Sequence, residues 1–306
     1  MMIDVHPKSP TYSAPDPGLW PYLILDKVCA QVDADASQAR LIKLTNNAVF
    51  ALPNSHLVVR IAGSAAVGRS AGKVVDVARW LEHHDMPTVR LATDVPQPLD
   101  IEGHAVSLWE LVSDTGRSAT ARDIGHILRL FHSLNDAPDL PPWNTLGLIR
   151  SRLESADVLS SAEHGFLVET ADSIAADLDE VDFVLAPGPI HGDPFVGNLI
   201  PGPDGPVLCD FDSTCVGPRE WDLTPADVGR LRFRYPGDYH GQLVEAYGVD
   251  VLTWAGFPVF RRLRELKLVC SVLPVLATNP SVREQWRHRF DTFRSGDLEA
   301  RWTTYR

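Results

Sequence analysis

The sequence predicts an α+β chain in two lobes. The first is a small N-terminal lobe of antiparallel sheet plus one substantial helix. The second is a larger, mainly helical C-terminal lobe with a β-hairpin set into it. Three observations predict this. Short apolar runs bounded by turn residues dominate residues 1–112. A polar stretch, Ser113-Asp114-Thr115-Gly116, follows them. Beyond residue 120, apolar residues recur at three- and four-residue spacing. The lobes are therefore expected at 1–112 and 113–306, and 306 residues is long for one compact unit.

Residues 1–21 carry Pro7, Pro10, Pro15, Pro17 and Pro21, which predicts an irregular arm. Residues 22–32 place apolar side chains at 22, 23, 25, 28 and 32 and predict a short helix. Strands are expected at 39–42, 48–52 and 57–61, with Thr45-Asn46-Asn47 and Pro53-Asn54-Ser55 as the turns between them. A helix over 68–84 lines Val74, Val77, Ala78 and Leu81 along one face and stops at Met86-Pro87. A hairpin of 96–101 and 104–112 turns at Glu102-Gly103 and closes the first lobe.

In the second lobe, Thr120 and Asp123 stand in capping positions for a helix over 120–134, with Ile124, Ile127, Leu128 and Phe131 at helical spacing. Helices are expected next at 146–159 and 163–183. Short strands occupy 190–212, and helices resume from 222 to 293 with breaks at Pro236-Gly237, Gly248 and Pro280.

The formal net charge of −12 argues against nucleic acid and against anionic membrane surfaces, both of which would repel the chain. It agrees with a cationic small-molecule partner. The four cysteines form no metal-ligand spacing and no C-x-x-C, as in a reduced compartment. The N-terminus lacks a cationic start leading into an apolar core, and no apolar run reaches membrane-spanning length, so a cytoplasmic setting is expected. Oligomeric state leaves no mark in the sequence.

The chemistry-bearing stretch is 190–212. Phosphoryl transfer to a hydroxyl needs a carboxylate at the hydroxyl and oxygen ligands for a metal on the phosphates, with positioning supplying the rest. Asp193 and Asn198 stand five residues apart on one loop. The apolar runs flanking Pro201-Gly202-Pro203-Asp204-Gly205 predict a hairpin that returns Asp210 beside Asn198.

His191-Gly192-Asp193 with Asn198, then an apolar strand and Asp210-Phe211-Asp212, resembles the aminoglycoside phosphotransferase and choline kinase-like family. Residues 217–223, G-P-R-E-W-D-L, match a run common in its bacterial members. The resemblance covers most of the chain after residue 40 and is strongest over 190–223. It implies a two-lobed protein-kinase-like fold, ATP or GTP as phosphoryl donor, Mg2+, and a small hydroxyl-bearing acceptor. By that resemblance Asp193 is the catalytic base, Asn198 and Asp210 hold the metal, His191 braces the loop and Asp222 supports the site from behind. Asp212 either serves the site or simply ends a strand.

In that fold the nucleotide lies between the lobes. Arg60 stands where a strand cation contacts the phosphates, Asn46 replaces a glycine in the turn over them, and backbone groups of Glu110 and Val112 pair with the base. The helix acid that orients the strand cation has three readings. It is missing, it is Asp76, or the register is half a turn away from Val74.

The implied activity is a phosphotransferase acting on an aminoglycoside-like antibiotic. Its alternatives are a kinase of a housekeeping amino alcohol or sugar, and a nucleotide-binding module without turnover. Glu220, Asp227, Asp238 and Glu245 are candidate partners for ammonium groups. Arginines at 261–264 and 283–289 are expected on solvated helix faces, pairing with Glu265 and Glu284.

Overall fold

A computed structural model describes residues 19–92, 95–235 and 237–305. The expected N-terminal arm falls, as far as residue 18, outside them. The chain separates into two compact units, one formed by residues up to Val75 with Arg90–Leu111, the other by Asp76–Val89 with Val112–Arg306.

The first unit is built on a sheet. Helix α1 (Trp20–Val32) starts two residues before the sequence predicts, because Pro21 sits in its first turn where a missing N–H costs nothing. Its buried face is Pro21, Ile24, Leu25, Val28 and Cys29, whereas Tyr22 and Leu23 point to solvent. Strands β1 (Arg40–Leu44), β2 (Asn47–Leu52) and β3 (Leu57–Ala62) pair antiparallel in succession. Short α2 (Ala65–Gly68) and α3 (Ala71–His83) follow, and the division between the units falls within α3. Strands β4 (Leu99–Ile101) and β5 (His104–Glu110) close the sheet in the order β1-β2-β3-β5-β4. Phe50, Leu52, Val59, Ile61 and Val106 are wholly buried beneath α1. Burial of each such side chain contributes about 1.5–3 kcal/mol. Strand β1 is exposed along its length, as an edge strand that carries Arg40 and Lys43 among aliphatics tolerates.

In the second unit, α4 (Ala121–Phe131) carries the expected capping box between Thr120 and Asp123, and α6 (Ser161–Asp179) has its own between Ser160 and Glu163. Between them lies α5 (Thr145–Glu154), capped by Asn144. The polar stretch at 113–116 is tied down here. Thr115 donates its backbone N–H and its hydroxyl to the Pro201 carbonyl at 2.9 and 3.0 Å.

Four short strands then build the site. Strand β6 (Gly188–Ile190) pairs with β9 (Cys215–Gly217), and β7 (Leu199–Gly202) with β8 (Gly205–Leu208). The first pair joins the two ends of the 190–212 stretch, and the second is the expected hairpin. Helices α7 (Glu220–Phe233), α8 (Tyr239–Tyr247), α9 (Phe257–Cys270) and α10 (Pro280–Arg294) complete the unit. Pro280 begins α10 behind an Asn279 cap. Of the four cysteines, Cys29, Cys215 and Cys270 are buried and Cys209 is half-buried. No helix among the described residues is long and apolar enough to cross a membrane.

Candidate active site

The 191–198 loop is held by buried hydrogen bonds. Gly192 adopts φ +85°, and a Cβ there would lie 2.2 Å from the Ser213 carbonyl oxygen, so only glycine lets the two segments meet. Asp222, in the first turn of α7, is 1% exposed and accepts the backbone N–H groups of His191 at 2.6 Å and Gly192 at 2.8 Å. Trp221 donates its indole N–H to the Gly192 carbonyl at 2.9 Å. His191 reaches the Cys209 carbonyl through Nε2 at 3.1 Å. Two loop N–H groups and one carbonyl are thus answered by adjacent residues of a single helix turn.

Asp222 has a third partner, His132, which carries no sequence signal beyond that of an ordinary buried histidine. Its Nε2 lies 3.1 Å from Asp222, and its Nδ1 lies 2.8 Å from the Tyr247 hydroxyl. A carboxylate can only accept, so Nε2 carries a hydrogen toward Asp222. Burial pushes the Tyr247 phenol up to about 12 and keeps it a donor.

Asn198 is buried, and its amide N–H donates to the Asp193 carbonyl at 2.9 Å, while its backbone carbonyl takes the Cys209 N–H at 2.9 Å. This ties the loop to the β8 exit that leads into Asp210. Asp210 is exposed and adopts the left-handed conformation at φ 70°, ψ 68°, which turns the chain into a short helical turn at Phe211–Ser213. Phe211 is buried with its ring 6.1 Å from that of His191, and Asp212 is partly buried in the same turn.

The residues the sequence missed are Arg264 and Lys267 on α9. Both donate to Asp193 Oδ1, Lys267 at 3.1 Å, and Arg264 is only 7% exposed. The expectation that arginines of 261–264 and 283–289 are solvated is corrected at Arg264 and at Arg289, which is 2% exposed. The Arg264 helix packs inward, with Leu263 and Leu266 fully buried around it. Arg261 does pair with Glu265 at 2.8 Å as expected, yet Glu265 is buried and also holds Arg232 bidentately at 2.7 and 2.8 Å. Burial pushes the Asp193 carboxyl upward, but the two cations outweigh it and hold it well below the usual carboxylate range. Burial lowers Lys267 despite its pairing with Asp193. Oδ2 of Asp193 receives no hydrogen bond from the described residues.

The acids expected to meet ammonium groups are largely engaged within the chain. Glu220 is fully buried and accepts the N–H groups of Val184 and Leu185 at 2.8 and 2.7 Å. Asp238 caps α8, and Glu245 pairs with Arg122 at 2.6 Å. Asp227 is fully buried, 2.8 Å from His240.

On the sheet, Arg60 lies in β3 opposite Val49 and Ser107 and is partly buried. Asn46 is exposed in the β1–β2 turn, its carbonyl accepting the Gly63 N–H at 2.9 Å. The Glu110 N–H donates to the Arg90 carbonyl at 2.9 Å, and Val112 is partly buried. Asp76 is 63% exposed and 3.9 Å from Arg79, its neighbour one turn on, while Val74 is buried.

Next to Asp193 the second unit has a cavity of about 250 Å³. Phe195, Phe233, Tyr235 and Tyr305 contribute its aromatic wall. Among the described residues no group of three or more His, Cys, Asp or Glu side chains could hold a metal by itself. Asn198 and Asp210 offer hard oxygen donors of the kind Mg2+ takes when phosphates and waters complete its shell. The Asn198 N–H points to Asp193, which turns its amide oxygen the other way.

The sequence profile of the phosphotransferase enzyme family matches residues 32–266. Among solved structures, one similar chain is an amicoumacin kinase in complex with AMP-PNP, Ca2+ and Ami. It has 15% identity over 91% of this chain and 94% of that one, with a TM-score of 0.69. Another is a choline/ethanolamine kinase family protein from Mesorhizobium loti, with 15% identity over 90% and 94% and a TM-score of 0.62. A third is a microcompartment-associated aminopropanol kinase, with 18% identity over 90% and 95% and a TM-score of 0.61. No curated protein matches the chain in sequence. At these identities the likeness establishes the fold, and it is the kinase-like α+β fold the sequence predicts.

Proposed function

The chain belongs to the phosphotransferase enzyme family and is a kinase-type phosphotransferase with an alcohol acceptor, and we propose that it transfers the γ-phosphoryl group of ATP or GTP to a small hydroxyl-bearing molecule at Asp193. The observation that supports this reading is the state of Asp193. It sits on a loop fixed by Asp222 and Trp221 and lines a cavity, with one carboxylate oxygen held by two cations and the other taking no hydrogen bond among the described residues. A carboxylate so held stays ionised and presents Oδ2 in a fixed direction.

Phosphoryl transfer passes through a loose transition state in which the attacking hydroxyl has little bond to phosphorus, so a strong base is not required. In the proposed reaction Oδ2 accepts the hydrogen bond of the substrate hydroxyl, orients its lone pair and receives its proton late in the transfer. Arg264 and Lys267 keep Oδ1 from rotating into that role. Asn198 and Asp210 would hold a divalent cation, Mg2+ in this reading, whose chemistry is to neutralise charge on the nucleotide phosphates. Arg60 is the proposed phosphate cation of the sheet, with Asn46 in the turn beside the phosphates and the backbone of Glu110 and Val112 for the base. His191 and Asp222 act on the loop rather than on substrate, and Asp212 is proposed as support for Asp210.

The test is a screen of hydroxyl-bearing acceptors for magnesium-dependent nucleotide consumption, with the product checked by phosphorus NMR for a new phosphate ester. The reading expects an ester at a single hydroxyl. Consumption of nucleotide by water alone across a broad panel, with no ester formed, would contradict it.

A further inference from the structure

The cavity beside Asp193 has a charge opposite to that of the molecule around it. The chain carries a formal net charge of −12, yet the charged residues lining this cavity are Asp193, Arg264 and Arg289. Lys267 stands just behind, on the same Asp193 oxygen. The single carboxylate is therefore neutralised by its own ion pairs, and the lining is left with a surplus of positive charge.

The two arginines are buried and incompletely satisfied. Arg264 is 7% exposed and Arg289 2% exposed. The Nε groups of both are buried and make no hydrogen bond among the described residues. Each guanidinium spends other nitrogens elsewhere, Arg264 on Asp193 and Arg289 on the Thr303 carbonyl. These Nε atoms are closed off from solvent, so an anion in the cavity would be met by the terminal guanidinium nitrogens instead. Arg289 is moreover held rigid by aromatic rings, with its guanidinium carbon 3.6 Å from the Tyr305 ring centroid and 5.1 Å from that of Phe233. A planar cation fixed on rings is a pre-formed receptor for a carboxylate or a similar planar anion.

The rest of the lining sets the body of the ligand. Phe233, Tyr235 and Tyr305 are aromatic, and Tyr235 lies so close over α7 that a Cβ on Gly229 would be 2.0 Å from its ring. The volume of about 250 Å³ is below the usual ~300–1,000 Å³ of drug-sized sites. The only carboxylate lining it among the described residues is Asp193, whose Oδ1 is already held by two cations.

We propose that this cavity binds a small hydroxyl-bearing acceptor with an apolar or aromatic body and an anionic group, the anion meeting Arg289 and Arg264 while the hydroxyl meets Asp193. The inference rests on the phosphotransferase reading and names the class of acceptor for it, in place of the ammonium-rich acceptor that the net charge favours.

Three matched probes test it on the full chain: 4-(hydroxymethyl)benzoate, 4-(hydroxymethyl)benzamide and 4-(hydroxymethyl)benzylamine, which share one body and differ in charge. Their binding is measured by calorimetry, and their phosphorylation by ester formation with Mg-ATP. The expected order in wild type is benzoate over benzamide over benzylamine, with roughly tenfold or more between the first and last. R289Q, checked for an unchanged melting temperature, is expected to weaken the benzoate about tenfold and leave the amine within about twofold. The proposal is overturned if the amine binds as well as or better than the benzoate, if the benzoate fails to bind at millimolar concentration, or if R289Q weakens all three alike. The wild-type order alone decides the matter if R289Q does not fold. The benzoate preference without any ester from any probe would support the acceptor site and count against the phosphotransfer reading, which keeps the two failures apart.

Discussion

Arg264 on α9 donates a charged hydrogen bond to Oδ1 of Asp193, 71 residues earlier in the chain, and Lys267 one turn on donates to the same oxygen at 3.1 Å. One carboxylate oxygen thus answers two cations, and in the proposed reaction the other meets the substrate hydroxyl. The pair is a positioning device. R264M is expected to lower kcat by at least tenfold while changing KM for nucleotide little, because the Asp193 carboxylate regains rotation about its Cβ–Cγ bond. The expected loss of stability is about 1–3 kcal/mol, smaller than for a fully buried pair because Asp193 keeps 32% exposure. Steady-state kinetics beside urea unfolding separate the two effects.

The same contacts fix the pH dependence. Asp193 is held below the usual carboxylate range, since its two cations outweigh the burial that pushes it up. A depressed folded pKa contributes stability above the unfolded value of about 3.9, and that stability is lost as pH falls through the folded value. Asp193 therefore stays ionised throughout pH 5–8, and no acid limb of activity in that range belongs to it. Lys267 is lowered by burial, so an alkaline limb is expected below the ordinary lysine value of about 10.4. K267R, whose charge persists, is expected to remove that limb in a pH–rate profile.

Asp222 is a second focus. It is 1% exposed and accepts two loop N–H groups and the His132 ring N–H. D222A strands three buried donors at about 1–3 kcal/mol each, with losses that do not add fully, so a total of about 3–5 kcal/mol is expected in urea unfolding. H132A removes only one of the three partners and is expected to cost less than half as much.

Gly192 and Gly165 form a matched pair. G192A places a Cβ at φ +85° within 2.2 Å of the Ser213 carbonyl oxygen, and loss of activity together with about 2–4 kcal/mol of stability is expected. Gly165 lies inside α6, and a methyl added there would meet nothing within 4 Å, so G165A is expected to gain about 0.5–1 kcal/mol in thermal unfolding.

What the sequence makes legible follows from the range of each interaction. Asp193, Asn198 and Asp210 are joined by a loop and one hairpin, and local turn chemistry places them. The capping box at Thr120 and the strands at 48–52 and 57–61 are likewise local signals, and the structure carries them. The buried face of α1 differs from the expected stripe because Tyr22 and Leu23 are apolar yet exposed, and composition alone cannot tell which apolar residues a short helix buries. Arg264 and Lys267 escape because pairing across 71 and 74 residues leaves no local motif. A signal does exist, since the two cations stand three apart on a helix, each directly after a leucine (Leu263 and Leu266), and cations on an apolar face ask for a buried partner. The expectation that Glu220 meets ammonium groups fails for a related reason. Net charge says nothing of which carboxylates are already spent on backbone N–H groups.

The central claim is that Asp193 receives the acceptor hydroxyl and that Asp210 serves the metal. It is tested most directly by magnesium-dependent phosphoryl transfer in wild type, D193A and D210A, each shown to be folded. The account predicts losses of about 10²–10⁴ in kcat for D193A and a comparable loss for D210A that excess magnesium partly offsets. Equal activity in all three proteins would contradict it.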